Sequence, residues 1–465
     1  MTTLEQWLGL ASSHAADLLD RALDRQLRLA VTGLAHSGKT AFIASLVNQL
    51  EHACSRDAKL PLWRAHDRGR ILGVRRVPQL NAHIPSFAYE AGCERLFGVP
   101  PAWPESTRGV SEIRLEIRYR PTGRWARDIA TLYLDIVDYP GEWLLDLPLL
   151  RLDYAAWSAQ VAARLQRDPR AAELAASWMH WNPSPQDTFG EKAVADVAAA
   201  YTAWLRACRE QLNMSLLQPG RFLLPGEYAG APMLQFLPWV WAAPAGKADE
   251  RSVYAQLEHR FEQYKQHLVK GFYKEHFAGF DRQIVLVDCL HALDGGPECF
   301  HDTGRALQQI IQSFSYGNGN LLERLFRPRI DRVLFAASKA DHLLPEQHDN
   351  LLSLLQDLVK GSAAVAHFEG VSSDCMALAS VAATEVARGK ADGELLRGLR
   401  GHSLNGQALL IHPQDVPARL PSQEWWSTRS EGYDYFRPQA MERSRPMPHI
   451  RMDAALEFLL GDKLR

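Results

Sequence analysis

The sequence has no excess of charge of either sign, and this excludes one large class of function. Lysine and arginine number 52 against 54 aspartates and glutamates, so the formal net charge of the 465 residues is -2. A protein that binds nucleic acid needs a basic surface to neutralise phosphates. We therefore expect no nucleic-acid partner.

Cysteine is scarce and long apolar runs are missing. The six cysteines include no pair at the C-x-x-C spacing, which argues against a zinc site and against a disulfide framework. No window reaches the roughly 18 uncharged apolar residues of a membrane span. The N-terminal stretch lacks the basic and then apolar pattern of a signal peptide. These absences predict a cytoplasmic protein with no direct membrane span.

The remaining composition, with 46% hydrophobic and 23% charged residues, is that of a globular chain. Apolar strands alternate with helical patterns in two stretches, and the residues between those stretches are helical. This order predicts an α/β fold with a mainly parallel sheet, interrupted by a large helical insertion. The expected parts are an N-terminal helix at 1–25, a first sheet part at 26–145, the insertion at 146–280, a second sheet part at 281–400 and a C-terminal extension at 401–465 that packs on the sheet domain.

The stretch from Gly33 to Thr40 follows the pattern G-x-x-x-x-G-K-[ST] between an apolar strand and a helix. In that setting backbone amides and the helix N-terminus hold phosphate groups. Lys39 would bridge the outer phosphates and the Thr40 hydroxyl would bind Mg²⁺. The residues expected to form this nucleotide site are Gly33, His36, Ser37, Gly38, Lys39, Thr40 and Ala41. The alternative is a tight glycine turn with a solvated lysine.

A second motif, Asp138-Tyr-Pro-Gly141, ends the second strand of an expected hairpin and has the pattern D-x-x-G. Asp138 would hold Mg²⁺ through water, and the Gly141 amide would contact the γ-phosphate. Thr107 precedes the first strand of that hairpin, where a switch threonine would close over Mg²⁺ and the γ-phosphate. A turn residue is the alternative for Thr107.

Glu142 directly follows this motif, where many GTPases place a glutamine that orients the attacking water. A carboxylate can accept a proton from water but cannot also donate to a phosphoryl oxygen, so we expect slow hydrolysis. Lys39, Thr107 and Glu142 are the residues expected to act in it. The alternative is that Glu142 is a solvated turn residue and that another group orients the water.

Recognition of the base is expected at Ser338-Lys339-Ala-Asp341, which follows a strand and is close to the pattern [NT]KxD. Asp341 could accept two hydrogen bonds from guanine, for which adenine has no matching donors. Lys339 would pack over the ring, and the Ser380 backbone amide would meet the guanine carbonyl. Ser338 departs from the usual asparagine or threonine, which puts the choice of base in doubt.

With these motifs, the chain resembles the YcjX-like stress-protein GTPases of bacteria over nearly its whole length. The stretches that carry the resemblance are "GLAHSGKTAFIASLVNQL", "STRGVSEIRLEIRYR", "LDIVDYPGEWLLDLPLL", "SKADHLLP" and "PHIRMDAALEFLLGDKLR". The resemblance implies a Ras-like P-loop G domain with a large helical insertion, which binds GTP or GDP with Mg²⁺. It also implies a link to the bacterial envelope stress response and a protein partner in the inner membrane, through which the chain would be held at that membrane.

Two other functions remain open from the residues alone. In the first, the chain is a P-loop ATPase or phosphotransferase, and Ser338–Asp341 is only a turn after a strand. In the second, it is a scaffold stabilised by nucleotide without significant turnover. Nucleotide preference separates the first alternative from a GTPase, and release of phosphate over many turnovers separates the second.

Overall fold

The computed structural model describes residues 26–465 apart from short stretches. The positions left out are 35, 107–108, 123–128, 243, 245, 247, 313–329, 369, 392–393 and 430–431. The expected N-terminal helix at 1–25 and the expected switch residue Thr107 therefore lie outside the described residues.

A seven-stranded sheet forms the centre of the fold. Its strands are β1 (Gln26–Gly33), β2 (Ile71–Val77), β3 (Ser111–Tyr119), β4 (Ala130–Asp138), β5 (Arg282–Val287), β6 (Arg332–Ala337) and β7 (Ser372–Ala377). They stand in the order β2-β3-β4-β1-β5-β6-β7. The five strands from β4 to β7 in this order are parallel, and β2 and β3 join antiparallel at one side. This arrangement confirms the expected α/β class with a mainly parallel sheet.

The register of the central strands brings their carboxyl ends to one edge. Val31 of β1 pairs with Asp138, the last residue of β4. Gly33, the last residue of β1, pairs with Leu286 of β5. In open α/β sheets ligands bind outside the carboxyl ends of the strands. The sheet therefore gathers the loops that follow β1, β4, β5, β6 and β7 at the edge where a ligand is expected.

The central strands are almost wholly apolar because helices cover both faces of the sheet. One core, which includes Leu29 and Val47, lies against the helix after β1 and the last helix of the chain. The other core, which includes Val285 and Trp157, lies against the long segment between β4 and β5. The helices outside that segment are α1 (Lys39–Glu51), α2 (Arg64–Asp67), α3 (Tyr89–Leu96), α11 (Cys289–Asp294), α12 (Gly296–Gln312), α13 (His348–Phe368), α14 (Gln423–Thr428) and α15 (Met452–Leu460).

Between β4 and β5 the chain forms a segment of 3₁₀ turns, Gly141–Arg151, and then a group of helices that we call the helical block, residues 152–280. Its helices are α4 (Tyr154–Arg167), α5 (Pro169–Leu174), α6 (Ala176–Met179), α7 (Glu191–Leu212), α8 (Gly220–Leu223), α9 (Val253–Gln263), a π-helical stretch Tyr264–Val269 and α10 (Lys270–Glu275). Aromatic rings fill its interior, for example Trp157 stacked on Phe261 with centroids 5.0 Å apart.

A second, smaller sheet forms near the C-terminus and was not expected from the sequence. Its strands are β8 (Glu385–Ala391), β9 (Glu394–Ser403), β10 (Ala408–Ile411) and β11 (Phe436–Arg437). All three other strands pair antiparallel with β9. Because β9 crosses residue 400, the expected boundary at 400 falls inside this sheet. No helix of the described part of the chain combines the length and apolar character needed to cross a membrane.

Candidate functional site

The glycine loop connects the central strand β1 to helix α1, which begins at Lys39. A Cβ on Gly33 would lie 2.3 Å from Ser37 Oγ and 2.6 Å from the Leu286 carbonyl oxygen, so only glycine fits there. Gly38 has a φ of 82°, a conformation that glycine adopts without strain. The Lys39 ammonium curls back over the loop and donates to the Gly33 carbonyl at 2.9 Å. The loop thus has the strand–loop–helix geometry that a phosphate-binding loop requires.

His36 occupies the middle of this loop with a φ of 62°. Its ring lies 5.3 Å, centroid to centroid, from the ring of His291, in the first turn of α11. Burial, and then the neighbouring His291 and Lys339, lower the pKa of His36. The ring is therefore neutral at neutral pH. The neighbouring loop residue Ser37 is 1% exposed, and Ala41 in the first turn of α1 is also buried.

Gly141 brings the segment after β4 against the glycine loop. A Cβ on Gly141 would lie 2.3 Å from the Gly33 carbonyl oxygen and 2.9 Å from the Gly33 carbonyl carbon. Asp138, at the end of β4, is 2% exposed and lies beside Val31 of β1. The two motifs predicted from the sequence as parts of one site are therefore in backbone contact.

Thr40 is in the first turn of α1, and its hydroxyl donates to the Glu105 carbonyl at 3.0 Å. Glu105 is two positions before Thr107, which itself lies outside the described residues. The contact places the chain that leads to Thr107 beside the glycine loop.

Glu142 is buried, with 7% of its surface exposed, so it is not a solvated turn residue. Its Oε2 has no hydrogen-bond partner within the described part of the chain. A buried carboxylate oxygen without a donor is costly unless something else satisfies it. Glu142 is thus a buried acceptor in the residue that follows Gly141, beside the glycine loop.

The strand end after β6 carries Lys339, with a φ of 62°. Its ammonium forms an ion pair with Asp288, which follows β5. It also lies 4.6 Å from the centre of the Tyr435 ring, close enough for a cation–π contact. Burial alone would raise the pKa of Asp288, but the Lys339 ammonium and the His291 amide outweigh it, so the pKa of Asp288 lies below its usual value. Asp288 therefore remains ionised and fixes Lys339.

Asp341 joins the loop after β6 to the loop after β7. It is 4% exposed, and its Oδ2 accepts the Ala383 amide at 2.7 Å. The Ala340 amide donates to the Leu378 carbonyl at 3.1 Å. The Ser380 carbonyl in turn accepts a hydrogen bond from the Ser45 hydroxyl of α1. The residues predicted for base recognition thus lie together, next to the helix that begins at the glycine loop.

Three side chains at this edge did not emerge from the sequence as candidates, namely Asp288, His291 and Tyr435. Asp288 could have been found, because it ends a buried apolar strand and caps the next helix by accepting the His291 amide at 3.0 Å. Tyr435 could not, since it lies 96 positions after Lys339 in the chain and no spacing rule joins them. The aromatic stretch 422–436 that contains it is a candidate partner surface by its sequence, although such stretches more often pack against the core.

A mainly parallel α/β sheet with a glycine loop after its central strand fits the Ras-like GTPases. The sequence profile described as the YcjX-like family, DUF463, matches residues 27–464. The chain belongs to this family, which confirms the resemblance drawn from its motifs.

Two relatives carry the same printed name, Ras-like GTPase YcjX. The chain is similar to the protein of Escherichia coli strain K12, with 50% identity over 459 residues that cover 96% of this chain and 98% of that protein. It is also similar to the protein of Shewanella oneidensis strain MR-1, with 44% identity over 491 residues that cover both chains fully.

Proposed function

We propose that this protein binds guanine nucleotides and hydrolyses GTP slowly with Mg²⁺. The observation that carries the proposal is the backbone contact between Gly33 and Gly141, with Lys39 folded over the same carbonyl. A γ-phosphate held by the glycine loop would lie beside the Gly141 amide. Its loss on hydrolysis would therefore remove a contact of the segment that follows β4. Both relatives are named as Ras-like GTPases, which supports the assignment.

Magnesium would be held by Thr40, Asp138 and Thr107. The donor set consists of hydroxyl and carboxylate oxygens, which are the ligands that Mg²⁺ prefers. Thr40 begins the helix after the glycine loop and Asp138 ends the neighbouring strand. The ion would neutralise charge on the outer phosphates. The position of Thr107 in this set rests on its sequence alone.

Guanine would be selected by the loops after β6 and β7. The Asp341 carboxylate is fixed in orientation by the Ala383 amide, and Lys339 is fixed by Asp288 and Tyr435. A carboxylate held in place rejects adenine because adenine lacks the matching donor pair. The Ser380 backbone amide would complete the site from the loop that α1 contacts.

Slow hydrolysis follows from Glu142 in the position after D-x-x-G. Its buried Oε2, without a partner among the described residues, supports a role in accepting a proton from the attacking water. It cannot donate to the phosphoryl group, and its charge would lie near the phosphates. We therefore propose that Glu142, Lys39 and Thr107 act in a reaction with a low intrinsic rate.

In the cell we propose a nucleotide-dependent switch in the bacterial envelope stress response. The family resemblance supports this role, together with a cytoplasmic location and attachment to the inner membrane through a protein partner. The G domain would consist of residues 26–145 and 281–400, with the helical insertion 146–280 between them and 401–465 packed on it, although the boundary at 400 falls within strand β9. The insertion begins within the segment that follows Gly141, which suits it to present the state of the nucleotide to a partner.

One observation favours the alternative of a P-loop ATPase. Lys339 and Asp341 both have partners within the chain, as ordinary residues at strand ends do. If those contacts persist when nucleotide binds, neither side chain reads the base. A scaffold that binds nucleotide without turnover is the third possibility.

The deciding experiment is a titration of nucleotide-free protein with fluorescent GDP, GTP and ATP analogues in Mg²⁺, followed by multiple-turnover release of phosphate. We expect guanine nucleotides to bind more tightly, Lys39→Ala to abolish binding, and Asp341→Asn to remove the preference for guanine. Lys360→Ala, an exposed lysine on α13, is the matched control and should bind as the wild type does. Equal affinity for ATP would support the ATPase, and binding without release of phosphate would support the scaffold.

A further inference from the structure

The segment Gly141–Arg151 is held on one side by the glycine loop and on the other by the helical block. A Cβ on Gly220, the first residue of α8, would lie 2.2 Å from the Glu142 carbonyl oxygen and 2.7 Å from its carbon. Only a glycine at 220 lets the helical block approach so closely. Glu142 is therefore enclosed between two backbone contacts, Gly141 on Gly33 and its own carbonyl on Gly220.

Asp146 makes this second contact possible. Its carboxylate is 1% exposed and accepts the Gly220 amide at 2.8 and 3.0 Å to its two oxygens. It also accepts the Arg221 amide at 3.3 Å and the Tyr264 hydroxyl. Burial raises the pKa of Asp146 to about 6, against the effect of these donors. The group is therefore mainly ionised at neutral pH and is an acceptor for every donor around it.

A third contact fixes the residue after Glu142. The Arg221 guanidinium lies 3.3 Å from the centre of the Trp143 ring, and the Trp143 indole nitrogen donates to the Leu224 carbonyl at 3.1 Å. Both partners belong to the same short stretch of the helical block that Asp146 holds. The positions of Glu142 and Trp143 thus depend on where the turn at residues 219–224 lies.

We infer that Asp146 is a positioning residue for GTP hydrolysis, which acts by docking the turn 219–224 of the helical block against Glu142. The inference rests on the proposed function and deepens it, because it gives the helical block control over the rate. A displacement of about 1 Å in a reacting group can cost about 100-fold in rate. Loss of the Asp146 contacts should therefore lower the rate of hydrolysis and leave the affinity for nucleotide unchanged, since Asp146 is not in the glycine loop.

A matched control is available in Asp302, a second buried aspartate. It is 1% exposed and accepts the amides of Ser215 at 2.7 Å and Leu216 at 2.6 Å, also in the helical block. Asp302 does not lie in the segment after Gly141. Asp302→Asn therefore also neutralises a buried carboxylate that accepts two backbone amides of the helical block. It additionally removes ion pairs with Arg164 and Arg305, but it should lack the proposed effect on Glu142.

The test compares the full-length wild type with Asp146→Asn, Tyr264→Phe and Asp302→Asn. Single-turnover hydrolysis of GTP gives the rate, a fluorescent GDP analogue gives the affinity, and hydrogen–deuterium exchange of residues 141–145 reports the position of the segment. We expect Asp146→Asn to hydrolyse GTP about 100-fold more slowly, with unchanged affinity for GDP and faster exchange. Tyr264→Phe removes one donor only and should show a smaller loss of rate, which keeps the test valid if Asp146→Asn does not fold.

Each outcome decides something different. If Asp146→Asn and Tyr264→Phe hydrolyse GTP as fast as Asp302→Asn, the positioning role is wrong while the proposed function stands. If all three variants lose rate in proportion to their folded fraction, Asp146 is only structural. If the wild type itself does not hydrolyse GTP, the proposed function fails and the inference fails with it.

Discussion

The substitution Gly141→Ala tests the contact on which the proposed function rests. The new methyl group would lie 2.3 Å from the Gly33 carbonyl oxygen and 3.3 Å from Thr32 Oγ1. Gly33 cannot move away from the new methyl group, because it pairs with Leu286 in the sheet and Ser37 lies close to its α-carbon. The strain must therefore move the segment that begins at Gly141 away from the loop.

The size of the effect follows from that distance. Ordinary contacts between carbon and oxygen begin at about 3.3 Å, so the backbones at Gly33 and Gly141 must separate by about 1 Å. Overpacking of this kind costs about 1–3 kcal/mol of folding free energy. The same 1 Å at a reacting group costs about 100-fold in rate, which corresponds to about 2.7 kcal/mol of activation free energy.

Single-turnover GTP hydrolysis and thermal unfolding measure the two effects separately. Gly271→Ala is the matched control, because a Cβ there has no neighbour within 4 Å and the residue is in helix α10. Alanine in a helix should keep or slightly raise the melting temperature, and the rate should equal that of the wild type. If Gly141→Ala hydrolyses GTP within about twofold of the wild type and melts at the same temperature, the close approach of the two motifs does not serve catalysis.

Three further predictions concern other contacts. Burial raises the pKa of Asp146 from 3.8 to about 6, so its neutral form adds stability below pH 4 that is lost as the pH rises through about 6. The advantage in unfolding free energy of the wild type over Asp146→Asn should therefore shrink by about 2 kcal/mol from pH 4 to pH 7, and a constant difference would contradict this. Asp462→Ala removes a partner of the buried Arg282 guanidinium and should cost about 3 kcal/mol in urea unfolding, whereas an unchanged midpoint would show that the pair is not needed. Tyr435→Leu removes the ring from the Lys339 ammonium and should weaken binding of a fluorescent GDP analogue about threefold, while unchanged affinity would place Tyr435 outside the site.

The parts of the fold that follow from the sequence are those with a local signal. β1, β5 and β6 are almost continuous apolar runs, and the structure places their ends within a few residues of the pattern. The glycine loop is likewise local, because its pattern and the flanking strand and helix occupy one short stretch. Such features are encoded by neighbours in the chain, and no tertiary contact is needed to find them.

The second sheet could not be predicted in this way. β10 alternates between exposed and half-buried residues, and part of its apolar surface, such as Leu410 at 47%, faces solvent. Its four residues are all apolar, but a run this short does not distinguish a strand from part of a helix. β7 begins at Ser372, earlier than the apolar run from Cys375 suggests, because its first residues are polar and largely exposed.

The role of the segment after Gly141 needed the structure for a different reason. The sequence places a helical block directly after D-x-x-G, and chain order alone suggests that the two communicate. Which residues join them is set by pairs far apart in the chain, Glu142 with Gly220 and Asp146 with Tyr264. Because the same few backbone groups touch the glycine loop on one side and the helical block on the other, a shift of either neighbour must be accommodated by Glu142. Under the proposed function, a partner that moved the block would therefore change the rate of hydrolysis without touching the nucleotide.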